Sequence, residues 1–216
     1  MNYIIAIDGP SGSGKSTIAE KISDRLGIEY LNTGSMYRAV TKYFLDRNIK
    51  EKNIDLIENS LDDIDIKIVD GEVFLNGENV SNEIRGDLVT KNVSWVSANQ
   101  KVREKLVSLQ RDIAKDTSFV LDGRDIGTVV FPDAKYKFFL TASPKVRAIR
   151  RFEQNESSLS VDELEESIIA RDKYDSSRKT SPLKKAKDAI LIDNSNMTID
   201  ETLEAIISKV DNPNAI

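Results

Sequence analysis

The chain has 216 residues, 39% of them hydrophobic and 31% charged, with a net charge of −5 and neither cysteine nor histidine. That is enough chain for one domain with an insertion, and the balance of apolar and charged residues excludes intrinsic disorder. Without cysteine there is no disulfide framework or thiolate metal site, without histidine there is no Ser-His hydrolase chemistry, and the acidic balance argues against a polynucleotide-binding surface.

In chain order, Tyr3–Asp8 (YIIAID) is a short apolar run closed by Gly9-Pro10. It reads as a buried parallel strand, the first of the fold, and not as a signal peptide. Ile18, Ile22 and Leu26 then recur at intervals of four, which predicts a helix from Lys15 to about Leu26. Ile28–Leu31 is a brief strand, followed by a helix over Ser35–Arg47 with Val40, Phe44 and Leu45 inward. Residues 64–80 alternate at period two, and Asp70-Gly71 and Asn76-Gly77 are hairpin-turn signals. An antiparallel insertion is expected there, with helical pieces to about residue 97.

Val102, Leu106, Leu109 and Ile113 predict a helix over Lys101–Lys115, Ser118–Leu121 a strand, and Tyr136–Leu140 another. Pro144–Phe152 reads as a basic helix. Ser160–Arg178 is a long one, opened by Ser160 and Glu163 in a capping-box pattern. Ala189–Ile192 supplies the last strand and Ile199–Val210 a closing helix. No apolar run approaches the roughly 18 residues of a membrane span. The expected class is therefore α/β: a parallel five-stranded sheet flanked by helices, with ligands beyond the carboxyl ends of its strands. The core would comprise 1–60 and 98–216, with the insertion at 61–97. The absence of cysteine fits a reducing cytoplasm.

Gly9-Pro10-Ser11-Gly12-Ser13-Gly14-Lys15-Ser16 matches the P-loop pattern G-x-x-x-x-G-K-[ST], with a strand before it and a helix after. Glycines let consecutive N–H groups converge on a phosphate, and the helix start adds partial positive charge. Lys15 is expected to bridge the β- and γ-phosphates of ATP, and the Ser16 hydroxyl to ligate Mg²⁺, with Thr17 completing the donor site. A second strand-to-helix junction, Asn32-Thr33-Gly34-Ser35-Met36-Tyr37-Arg38, offers a hydroxyl from Thr33 and a guanidinium from Arg38 to an anion; Thr-Gly there reads equally as a helix cap. On the long helix, Leu164, Ile168, Arg171, Asp175 and Arg178 share one face, apolar at its start and charged at its end. That stripe points into a cleft or forms a salt-bridge ladder.

GPSGSGKST, LNTGSMYR, the run DGRDIGTVVFPDA from Asp122 to Ala134 and RDKYDSSRKTSPL from Arg171 to Leu183 together resemble the bacterial cytidylate kinase family over nearly the whole length. The resemblance implies a P-loop kinase that phosphorylates CMP or dCMP from ATP with Mg²⁺, in which the insertion binds the acceptor nucleotide. It further implies that Arg124 contacts the acceptor phosphate and that Asp125 reads the cytosine amino group, with Ser94 and Arg103 as further base contacts. A carboxylate does accept from N4–H₂ and is repelled by a carbonyl there. Arg171 and Asp175 are assigned to the sugar, Arg178 to phosphate, and Thr33, Tyr37 and Arg38 to the same acceptor site. Lys15, Arg124 and Arg178 are the expected catalytic charges. The resemblance also implies a short lid at about 150–162, near Arg147, Arg150 and Arg151. Asn32 departs from the family pattern, where aspartate is common, and is left outside the site. The partners expected are small nucleotides alone, with no membrane or polynucleotide, and the chain is expected to be a monomer. Kinases of UMP, dTMP or shikimate are the nearest rivals; a GTP switch lacks its N-K-x-D motif here.

Overall fold

The computed structural model describes residues 2–154 and 159–210. Residues 155–158 of the expected lid, and 211–216 of the expected core, lie outside the described residues. The main sheet is built from β1 (Ile4–Asp8), β2 (Glu29–Asn32), β6 (Phe119–Gly123), β7 (Tyr136–Thr141) and β8 (Ile190–Asp193). They lie in the order β2-β6-β1-β7-β8, every pair parallel.

Period-two alternation divides each strand between two cores. Ile5 and Ile7 of β1 and Val120 of β6 pack with Ile18 and Ile22 of α1 (Lys15–Leu26) and with Leu203 and Ile206 of α8 (Ile199–Ile207). Ala6 and Leu121 turn to the opposite face. There they meet Met36, Val40 and Phe44 of α2 (Thr33–Asp46) and Leu106 of α5 (Gln100–Ile113). Because both faces are covered, the strands read as unbroken apolar runs. Each fully buried isoleucine contributes about 2 kcal/mol.

Between these elements lie α3 (Ile54–Ser60), the strands β3 (Ile66–Val69), β4 (Glu72–Leu75) and β5 (Glu78–Asn79), and α4 (Asp87–Ala98). The three strands form an antiparallel sheet in sequence order. Its two turns use positive φ at Asp70 (51°), Gly71 (79°), Asn76 (50°) and Gly77 (86°), the backbone the two dipeptides favour. The expected hairpin thus gains a third, two-residue strand. Sequence periodicity missed α3, because Ile54 and Leu56 are exposed and Ile57 alone of its apolar side chains is fully buried. The chain closes through α6 (Pro144–Glu153) and α7 (Val161–Ser177), which pack through Ala148, Leu164 and Ile168. The capping box at Ser160 and Glu163 is formed. Among the described residues no helix is long and apolar enough to cross a membrane.

Candidate active site

The carboxyl ends of β1, β2 and β6 open onto one cleft of about 740 Å³, within the range of small-ligand sites. On its β1 side, Gly9 leaves the strand with φ of 153° so close to β7 that a Cβ would stand 2.0 Å from the Leu140 carbonyl oxygen. The loop therefore has no room for a side chain at its first position. Ser11, Gly12, Gly14, Lys15, Ser16 and Thr17 line the cleft, while Gly9, Pro10 and Ser13 are buried and do not. Lys15 is buried, and its Nζ donates to the Pro10 carbonyl at 2.6 Å and to Ser13 Oγ at 3.3 Å. Burial above all, and the Arg124 guanidinium next, hold its amine well below the usual lysine range, against the pull of Asp122 and Asp8.

Ser16 Oγ donates to Asp122 Oδ2 at 2.9 Å, Tyr30 donates to Asp122 Oδ1 at 2.9 Å, and Asn32 Nδ2 donates to Ser16 Oγ at 3.3 Å. Asn32 also caps α2 by accepting from the Ser35 N–H at 2.9 Å. Sequence reasoning left Asn32 out of the site and did not single out Asp122, yet both line the cleft beside Ser16. Desolvation raises the pKa of Asp122, and Lys15 opposes the rise. Among the described residues no cluster of three or more acidic ligands could hold a metal alone. A Ser16 hydroxyl beside one buried carboxylate instead suits a hard cation that keeps waters and shares phosphate oxygens.

Beside the loop, β6 ends in Asp122-Gly123 and runs on into Arg124-Asp125. Asp8, at the end of β1, accepts from the N–H groups of Ile126 and Gly127 at 2.7 and 2.8 Å, which fixes the π-helical turn Ile126–Val130. Its burial raises the Asp8 carboxyl to about 6 despite those two bonds. Asp125 is buried and paired with Arg103 of α5. Desolvation raises its pKa; Arg103, a hydrogen bond from Ser181, and the nearby Arg178 and Arg124 hold it down. Ser181 is buried at φ of 52°, a backbone few non-glycine residues adopt, and neither its strain nor its contact was visible in the sequence. Arg103 also donates to the Ser97 carbonyl at 3.2 Å and lies 5.5 Å from the Tyr37 ring centroid.

The charged stripe of α7 does face the cleft. Asp175 is almost fully buried and pairs with Arg178 and, at 3.3 Å, with Arg124 Nε; Arg171 Nε stands 4.0 Å away. The Nε atoms of Arg171 and Arg178 are buried without a hydrogen-bond partner. Burial first, then the neighbouring Arg124, pulls Arg171 down to about 9. Three guanidiniums around one carboxylate leave an excess of positive charge suited to an anion.

One expected contact falls elsewhere. Ser94 lines a smaller pocket between α4 and α7, and Ser97, three residues on, faces the cleft and accepts from Arg178 at 2.9 Å. Thr33 lines the cleft, and its hydroxyl donates to the Asp122 carbonyl at 2.7 Å, which ties α2 to the β6 end. Arg38 reaches the cleft while its Nη1 donates to Ile84 O and Thr90 Oγ1, both at 2.9 Å. Of the arginines near the expected lid, Arg150 and Arg151 line the cleft; Arg147 does not.

Comparison with known proteins agrees with this geometry. The cytidylate kinase family model matches residues 5–212. A cytidylate kinase of Clostridium botulinum (strain Loch Maree / Type A3) is 47% identical over 211 residues, covering 96% of this chain and 97% of that one. One from Fusobacterium nucleatum is 44% identical over 213 residues, covering 97% and 98%. Among solved structures, an uncharacterized protein from Eubacterium ventriosum shares the fold with a TM-score of 0.54 at 16% identity, over 97% of this chain and 99% of that one. A gluconokinase from Sinorhizobium meliloti does so with a TM-score of 0.51 at 13% identity, over 95% and 90%. Matched from residue 5 to residue 212, the chain belongs to the cytidylate kinase family.

Proposed function

We propose that this chain transfers the γ-phosphoryl group of ATP to CMP, and to dCMP, giving ADP and CDP or dCDP. The observation that carries this reading is that one cleft joins a phosphate loop to a buried carboxylate, Asp125, flanked by arginines. In the reaction, an acceptor phosphate oxygen forms a bond to the γ-phosphorus as the bond to the β,γ-bridging oxygen breaks. The acceptor is already an oxyanion near neutral pH, so no general base is needed, which suits a chain without histidine.

Lys15 and the N–H groups of the loop would hold the donor phosphates. Mg²⁺, when bound at Ser16 and Asp122, supplies neutralisation of phosphate charge. Arg124 and Arg178 would hold the acceptor phosphate, with Arg171 and Asp175 toward the sugar. An ionised Asp125 accepts from the cytosine amino group and repels the uracil carbonyl, so the charge maintained by Arg103 is the basis of selectivity. The insertion 61–97 acts as the acceptor-binding subdomain and the segment at about 150–162 as a lid that excludes water.

A panel of CMP, dCMP, UMP, dTMP and AMP in an ADP-release assay tests this. CMP and dCMP should turn over fastest; faster turnover of UMP or AMP defeats the base-reading role of Asp125.

A further inference from the structure

Arg147 of α6 is a charged side chain with 4% of its surface exposed, and the phosphoryl transfer outlined above gives it no part. Its Nε donates to the Ala142 carbonyl at 2.8 Å, and its Nη1 donates to the Ser11 carbonyl at 2.9 Å. The same Nη1 stands 2.6 Å from Asp172 Oδ2 on α7. Asp172 Oδ1 in turn accepts from the Ser11 N–H at 3.4 Å. One ion pair, spanning α6 and α7, thus grips both main-chain polar groups of one phosphate-loop residue. The fit is close, since a Cβ on Gly12 would stand 3.2 Å from the Arg147 Cβ.

Peptide planarity gives this grip a consequence inside the loop. A trans peptide sets its C=O and N–H on opposite sides, and no described peptide is cis. Holding the Ser11 carbonyl against Arg147 turns the Gly12 N–H away from α6, toward the cleft that Gly12 lines. Holding the Ser11 N–H against Asp172 turns the Pro10 carbonyl the other way, where it accepts from Lys15 Nζ. The outer contacts of the pair therefore set the inner face of the loop, both an N–H donor and the anchor of the lysine.

From this geometry we infer that Arg147 and Asp172 form a latch that ties the α6–α7 pair to the phosphate loop, so that donor binding and the position of these helices are one coupled equilibrium. The same two helices carry Arg150, Arg151, Arg171 and Asp175 to the cleft wall, with Arg178 at the C-cap of α7. A shift of the pair away from Ser11 would misdirect the Gly12 N–H and withdraw those charges together. Arg147 and Asp172 are positioning residues, and the inference rests on the reading of Gly9–Ser16 as the donor's phosphate site.

The test uses the full chain. Asp172→Asn keeps the shape of the side chain and removes its charge; Arg147→Lys keeps the charge and removes the fork that reaches Ala142, Ser11 and Asp172 together. In each variant, KM for ATP and ADP affinity by calorimetry should weaken about 5- to 20-fold, the lower part of the range of ordinary coupling energies, and KM for CMP should rise by less, about two- to threefold, because Arg171, Asp175 and Arg178 move with the pair. The double variant should be no worse than the poorer single one, because either change breaks the same grip. A thermal melt accompanies each variant, since simple loss of folded protein lowers kcat at unchanged KM. An ATP KM within about twofold of the parent, equal weakening for CMP, or additive single effects would overturn the latch. Lys15→Ala is the separate control for the underlying reading. If it leaves phosphoryl transfer intact, the donor-site assignment fails, whatever Asp172→Asn does.

Discussion

Replacing Arg103 with methionine keeps most of its aliphatic bulk and deletes the cation that pairs directly with Asp125. Both side chains are nearly inaccessible, at 5% and 6% exposure. A buried carboxylate stripped of its partner costs about 3–5 kcal/mol. Protonation limits that cost. Neutralising a carboxyl with an ordinary pKa of about 3.9 takes about 4 kcal/mol at pH 7 and about 1.5 kcal/mol at pH 5. The variant should therefore lose about 3–4 kcal/mol at pH 7 and clearly less at pH 5, an inverse of the usual acid sensitivity. A protonated Asp125 would present an O–H donor to the base, so the CMP-to-UMP ratio of kcat/KM should fall at least about tenfold. Urea denaturation at both pH values and acceptor kinetics measure the two effects. A loss below about 1 kcal/mol at pH 7, or one that does not shrink at pH 5, would refute the claim that Arg103 maintains the Asp125 charge.

Other expectations follow from single contacts. Asp8, raised to about 6 by burial, contributes stability that is complete below its unfolded pKa and is lost as pH rises from about 4 to about 6. Carboxyl NMR should show its titration near pH 6, and a midpoint below about 4.5 would contradict the burial argument. Gly9→Ala places a methyl 2.0 Å from the Leu140 oxygen, so β1 and β7 must separate and stability should drop by at least about 2 kcal/mol in a thermal or urea melt. Trp95, the chain's only tryptophan, stacks on Phe44 at 5.9 Å between ring centroids, on the helix that brings Ser97 to the cleft. Its fluorescence should change saturably with CMP, and a flat signal at CMP concentrations that support turnover would mean that α4 does not move.

The elements legible in the sequence were those whose causes lie within a few residues. The phosphate loop, the Ser160 capping box and the two positive-φ turns at 70–71 and 76–77 are local bargains between backbone and neighbouring side chains, and each formed where its residues predicted. The apolar runs likewise marked all five parallel strands, with ends shifted by a residue or two. The face of α7 was legible from spacing, since Leu164 and Ile168 commit the same stripe that Arg171 and Asp175 continue.

What sequence could not contain was the choice of partner for each buried charge. Arg103 finds Asp125 22 residues away, Ser11 is held by Arg147 and Asp172 at separations of 136 and 161, and Ser97 rather than Ser94 faces the cleft. A charge on a helix is equally at home in water, and only the packing of the sheet's two faces removes that option. Once desolvated, it must take whichever counter-charge the fold delivers. Motif and period set the elements and the chemistry available to this chain, while tertiary burial decided which charges face the nucleotides and which brace the loop that holds them.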